Sequence, residues 1–112
     1  MKIILGKQGS GKTTWLIRKS ARTGATIVTD SMMKARDLEN VARFMGLEIP
    51  TPVSYYQIAK NQMNRGYLQS IKAVLLDNAD CFLESLFACP IDTVTISSEN
   101  IEGELYNIGD LE

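Results

Sequence analysis

The sequence predicts an α/β fold, a three-layer sandwich whose mostly parallel central sheet of about five strands is flanked by helices. Three observations predict it. Short aliphatic or β-branched runs alternate with amphipathic stretches of helical length, a glycine cluster cuts off the first run, and the most apolar run, Ala73 to Leu76, stops on Asp77. Strands that are apolar throughout need cover on both faces, and helices between successive strands provide it. With 112 residues, 45% of them hydrophobic, the chain 1–112 is expected to form one domain around one modest core.

Ile3 to Leu5 suits a first strand buried on both faces. Lys12 to about Arg22 reads as a helix closed near Gly24, and Ala25 to Thr29 as a second strand. Ser31 is placed to cap a second helix, in which Leu38, Val41, Ala42 and Met45 share one face before Gly46. Pro50 and Pro52 lead into a short strand over Val53 to Tyr56, then a weaker helical stretch from Gln57 to about Arg65 that Gly66 interrupts. After the strand ending at Leu76, the spacing of Phe82, Leu83, Leu86 and Phe87 gives a short amphipathic helix ended by Pro90. Thr93 to Ser97 is expected as a further strand, and Leu105 to Ile108, short and in an acidic tail, as either an edge strand or a frayed end.

Charge is unevenly distributed. All twelve Lys and Arg lie at or before Lys72, against four acids, a net of +8; from Ala73 onward there are nine acids and no base. That division points to a polyanionic partner or to head-to-tail association of copies, unless folding interleaves the two parts in space. No run approaches the roughly 18 to 20 apolar residues a membrane span needs, and no export pattern opens the chain, so the expected location is cytoplasmic. Without histidine, and with only Cys81 and Cys89, a zinc site lacks ligands, and both cysteines are expected as buried apolar filler.

Gly6-Lys7-Gln8-Gly9-Ser10-Gly11-Lys12-Thr13 matches G-x-x-x-x-G-K-[ST] at every fixed position, between a predicted strand and a predicted helix. Gly9 and Gly11 leave the backbone free to aim successive N–H groups at one anion, and the helix beyond adds its unpaired N–H groups and positive dipole end. The whole segment Gly6, Gln8, Gly9, Ser10, Gly11, Lys12, Thr13 and Thr14 is therefore expected to hold the triphosphate of a nucleotide. Lys12 is expected between the β- and γ-phosphates, Thr13 on Mg²⁺ and Thr14 near the α-phosphate. Trp15 is expected in the core rather than against a base. Mg²⁺ also requires a hard oxygen ligand nearby, and Asp77, ending an apolar strand, is expected to supply it.

These motifs resemble a P-loop NTPase of the RecA-like, additional-strand class, close to the helicase core, in the minimal single-domain form met in phage and other mobile genomes. The resemblance covers nearly the whole chain and implies ATP as the nucleotide; the chain also has no N-K-x-D guanine-reading motif. By the resemblance, Thr29 and Asp30 would touch a nucleic-acid backbone, and Ser97 or Ser98 would sense the γ-phosphate. Where the family generally has Glu after the metal-binding Asp, this chain has Asn78, an amide that positions water without accepting its proton. Either Asp80 or Glu99 then acts as base, or hydrolysis is slow and binding itself is the signal. An arginine finger from a neighbouring subunit would draw on Arg36, Arg43 or Arg65.

The expected function is Mg²⁺-dependent ATP binding with slow hydrolysis, assisting a nucleic-acid transaction as an oligomer or as the partner of a larger protein. The alternatives are a small phosphotransferase, against which the absence of any cation after Lys72 counts, and a nonhydrolysing nucleotide switch. Tyr55, Tyr56 and Tyr106 are the aromatics available to stack on a base, with a place in or beside a strand as the simpler expectation.

Overall fold

A four-residue strand, buried along its whole length, organises the molecule: Thr26–Thr29, with Ile27 and Val28 turned to opposite faces. The structure is a computed structural model and describes residues 1–7, 9–59, 70–97 and 106–108. In chain order its elements are β1 (Ile4–Leu5), α1 (Lys12–Thr23), β2 (Thr26–Thr29), α2 (Met32–Phe44), β3 (Val53–Ser54), α3 (Tyr55–Ala59), β4 (Val74–Leu76), α4 (Ala79–Phe87) and β5 (Tyr106–Asn107).

The result is a compact α/β fold in which β2 lies between β3 and β4 in a parallel three-stranded sheet. The register sets Val28 beside Val53 on one side and Leu76 on the other. Two further bonds lengthen the β2–β4 ladder, from the Thr26 N–H to the Ala73 carbonyl at 3.0 Å and from the Asp77 N–H to the Val28 carbonyl at 2.9 Å. On the Ile27 face, Ile17 of α1 and Leu38 and Ala42 of α2 close the larger core, with Leu16, Met45 and Leu75 around them. On the Val28 face, Val53 and Tyr55 pack with Ile58 of α3 and Phe82 of α4. Helices therefore cover both faces, and burying a side chain such as Ile17 or Ile27 completely contributes roughly 1.5–3 kcal/mol.

The caps follow local chemistry. The Ser31 hydroxyl accepts the Lys34 N–H at 3.1 Å and starts α2, while the Gly24 N–H bonds the Ser20 carbonyl and closes α1. At the start of α3 the Gln57 N–H donates to the Ser54 hydroxyl at 3.2 Å and the Ser54 N–H to the Gln57 amide oxygen at 2.9 Å, a reciprocal capping box. The pattern Ser54-x-x-Gln57 announced it, and it makes the strand expected over Val53 to Tyr56 give way to helix at Tyr55. The rest of the helix expected from Gln57 to about Arg65 lies outside the described residues after Ala59.

Among the described residues the strands form two sheets, β3-β2-β4 and a parallel pair of β1 with β5; the expected single sheet of about five strands is not shown. Thr93 to Ser97, expected as a strand, carries no ladder, and Val94 and Ile96 are half exposed. Strand formation depends on packing against a neighbour; β1 and β4 each have a partner on one side only among the described residues, and keep exposed positions at Leu5, Val74 and Leu76 instead of being buried on both faces. Val41, Leu86 and Phe87 likewise face outward. Cys81 and Cys89 are exposed rather than buried, because no described layer covers that side of α4. No helix among the described residues is long and apolar enough to cross a membrane.

Candidate functional site

Parallel strands deliver their carboxyl ends to one edge, the usual ligand side of an open α/β sheet. Here that edge carries Thr29-Asp30 after β2, Ser54-Tyr55 at the end of β3 and Asp77-Asn78 after β4. The Gly6–Thr13 turn joins it from β1. Gly9 (φ 79°) and Gly11 (φ 99°) adopt the left-handed conformation, which a side chain disfavours, and the Ser10 N–H closes a turn onto the Lys7 carbonyl at 3.1 Å. Gly11 immediately precedes α1, whose first turn contains no acidic residue, so its free N–H groups and dipole carry uncompensated positive potential.

Two observations test whether this turn suits a phosphate chain. The Ser10 Oγ is buried with no hydrogen-bond partner among the described residues, a donor awaiting an acceptor. Gly6 lies so close to its surroundings that a Cβ there would stand 2.5 Å from the Ser10 Oγ and 2.8 Å from the Ile108 Cγ2. The Lys12 ammonium donates to the carbonyls of Gly6 and, at 3.3 Å, Lys7. These donors suit an anion; Gln8 lies outside the described residues.

Opposite stands Asp77, 4% exposed, whose Oδ2 accepts the Thr13 hydroxyl at 3.5 Å. Burial pushes its carboxyl above the ordinary range, against the pull of Lys34, the Thr13 hydrogen bond and Lys12, while Asp30 pushes in the same direction as burial. Asp30 behaves differently. Burial pushes it up, but hydrogen bonds from Thr29 at 3.0 Å and Lys34 at 3.3 Å outweigh that and leave it below the ordinary range. Asn78 is left-handed at φ 57°, and its carbonyl accepts the Tyr55 hydroxyl at 3.0 Å. The Tyr55 ring rests on Phe82 at 4.6 Å, and burial together with the negative charge of Asp77 and Asp30 pushes its phenol well above the ordinary range. No group of three or more His, Cys, Asp or Glu among the described residues forms a metal cage. One hydroxyl and one carboxylate suit Mg²⁺, which takes the rest of its shell from phosphate oxygens and water.

Of the residues expected at the site, Gly6, Gly9, Ser10, Gly11, Lys12, Thr13 and Thr14 follow one another through the turn into α1, and Thr13 meets Asp77 across 64 residues of chain. Asn78 and Asp80 begin α4, with Asp80 exposed in its first turn. Ser97 is exposed and belongs to no strand, while Ser98, Glu99 and Arg65 lie outside the described residues. Arg36 and Arg43 are exposed on α2, the latter 3.7 Å from Glu39.

Thr29 is fully buried with its hydroxyl on Asp30, which corrects its expected place against a nucleic-acid backbone. Buried Tyr55 likewise belongs to the core rather than to a base-stacking platform. Tyr56 is exposed, and the Tyr106 side chain is not among those described. Trp15 is half-buried with the Lys19 ammonium 5.2 Å above its ring, outside the core in which it was expected. Sequence reasoning missed the Asp30–Lys34 pair, although its i,i+4 spacing was visible. It also missed the Tyr55–Asn78 bond, which no local spacing encodes. No protein-family model, curated protein or solved structure matches this chain.

Proposed function

We propose that the chain is a P-loop NTPase core that binds a nucleoside triphosphate, ATP rather than GTP, together with Mg²⁺ and hydrolyses it slowly. The observation that carries this reading is the meeting of the Thr13 hydroxyl with the buried Asp77 carboxylate, directly after a glycine turn whose buried Ser10 hydroxyl has no partner among the described residues. In this reading Gly9, Gly11 and the first turn of α1 present N–H groups to the phosphates, Ser10 donates its hydroxyl, and Lys12 exchanges its carbonyl partners for phosphate oxygens. Thr13 and Asp77 hold Mg²⁺, which when bound neutralises charge on the terminal phosphates. Asn78 orients water without taking its proton, which leaves Asp80 as the described acid available for that task and keeps turnover slow.

The experiment is calorimetry of the purified chain with ATP and saturating Mg²⁺. We expect micromolar binding in the wild type and at least about a hundredfold loss in Lys12→Ala, which removes the full positive charge proposed to lie on the β- and γ-phosphates. No affinity for any purine triphosphate would refute the reading.

Asn78 favours a second reading, a nonhydrolysing switch in which nucleotide occupancy alone changes the partner bound. Phosphate release at zero in a chain that binds MgATP decides for the switch. The nucleic-acid role rests on the basic first part of the chain, where α1 carries Arg18 and Arg22 exposed and contains no acid. Binding of labelled single-stranded DNA that weakens steeply with salt is expected, and no binding at low salt removes that role.

A further inference from the structure

We infer that Tyr55 is a positioning residue for the Asp77 carboxylate, acting through the backbone of Asn78; the inference rests on the nucleotide and Mg²⁺ reading above. Asp77 is secured from both sides. Its own N–H is tied to the Val28 carbonyl of β2 at 2.9 Å, and the carbonyl of the next residue, Asn78, accepts both the Phe82 N–H at 3.2 Å and the Tyr55 hydroxyl at 3.0 Å. Between those anchors the chain must reverse from strand to helix within one residue, and it does so by placing Asn78 at φ 57°, ψ 59°. A left-handed residue other than glycine is costly, and asparagine tolerates it better than most.

The Tyr55 hydroxyl reaches this carbonyl from a different strand end, 23 residues earlier in the chain. Its ring is locked between the Val28 and Val53 side chains and the Phe82 ring, so the donor does not wander. The bond holds the peptide plane that follows Asn78, and so the left-handed turn one residue beyond Asp77; with the Asp77 N–H tied to Val28 on the other side, the backbone that carries the carboxylate toward Thr13 is held from both directions. An asparagine at the position where the resemblance implies Glu suits this backbone shape. A β-branched residue there resists the left-handed turn.

The test compares affinity for MgATP with affinity for ATP in excess chelator, by calorimetry on the full chain, with melting followed by circular dichroism. Tyr55→Phe keeps the ring and removes the donor. It is expected to leave metal-free ATP affinity within about twofold while cutting the Mg²⁺-dependent gain about tenfold, the scale on which groups orienting a metal ligand act. Asn78→Val is expected to lose the same gain, and Asn78→Gly, which enters the left-handed region freely, to keep it.

An unchanged Mg²⁺ gain in Tyr55→Phe overturns the inference and leaves the nucleotide reading standing. Equal loss with and without metal overturns it too, because it marks a general structural defect. If Tyr55→Phe does not fold, a Mg²⁺ gain in Asn78→Val equal to that of Asn78→Gly overturns it. A wild type that binds no ATP at all removes the parent reading and this inference with it.

Discussion

At the scale of single residues, Asp77 carries a cost that its own chemistry exposes. Its carboxyl is raised by burial, so between its unfolded and folded pKa the native state holds more protons than the unfolded chain. Its contribution to stability therefore falls as pH rises through that window, and above the folded pKa the unliganded protein bears the full penalty. Asp77→Asn is expected to raise the melting temperature of the unliganded chain by a few degrees, about 2–5 °C, to flatten its pH dependence above pH 4, and to abolish the Mg²⁺ gain in ATP binding. Melting curves from about pH 4 to 8 check the first two effects. Gly6→Ala tests the turn by a different route: its Cβ would collide with the Ser10 Oγ and the Ile108 Cγ2, so ATP affinity is expected to fall about tenfold or more by calorimetry, with the helices retained. Much of this was legible, because the torsional freedom of Gly9 and Gly11 and the charge of Lys12 are properties of those residues themselves. The Tyr55 bond was not, since it depends on two strand ends meeting.

At the scale of elements, legibility followed how local the cause was. Helix α2 was readable because Ser31 caps it and Leu38 and Ala42 return on one face, and the start of α3 was readable in retrospect from Ser54 and Gln57. Ser31→Ala is expected to cost about 1 kcal/mol in urea unfolding at unchanged m-value, since it removes one acceptor for the Lys34 N–H and no packed surface. Strands were less readable. Val74 to Leu76 and Thr93 to Ser97 both read as strands, yet the first is paired to β2 and the second to nothing described, because the partner as well as the run decides.

For the molecule as a whole, the parallel order β3-β2-β4 matters more than any one side chain, because it gathers Asp30, Tyr55 and Asp77 at one edge from distant parts of the chain. The same molecule leaves Met33, Phe44, Leu86 and Phe87 more than half exposed. Together with the opposed charge of its two parts, this predicts ATP-dependent self-association that weakens as salt rises. Sedimentation with and without MgATP at two ionic strengths measures it, and a monomer under all four conditions speaks against it. Fold class followed from the alternation of runs; the division into two sheets did not, because which strand pairs with which is a property of tertiary contacts.

The exposed thiol of Cys81 lies three residues beyond Asn78, one turn into α4. Once Cys89 is replaced by serine, a small environment-sensitive dye can be attached there selectively under alkaline conditions, where the thiolate forms despite the neighbouring carboxylates that raise its pKa after burial. Emission from that dye would follow occupancy of the phosphate turn in real time, turning an apparently idle cysteine into an optical gauge of arrival and departure rates.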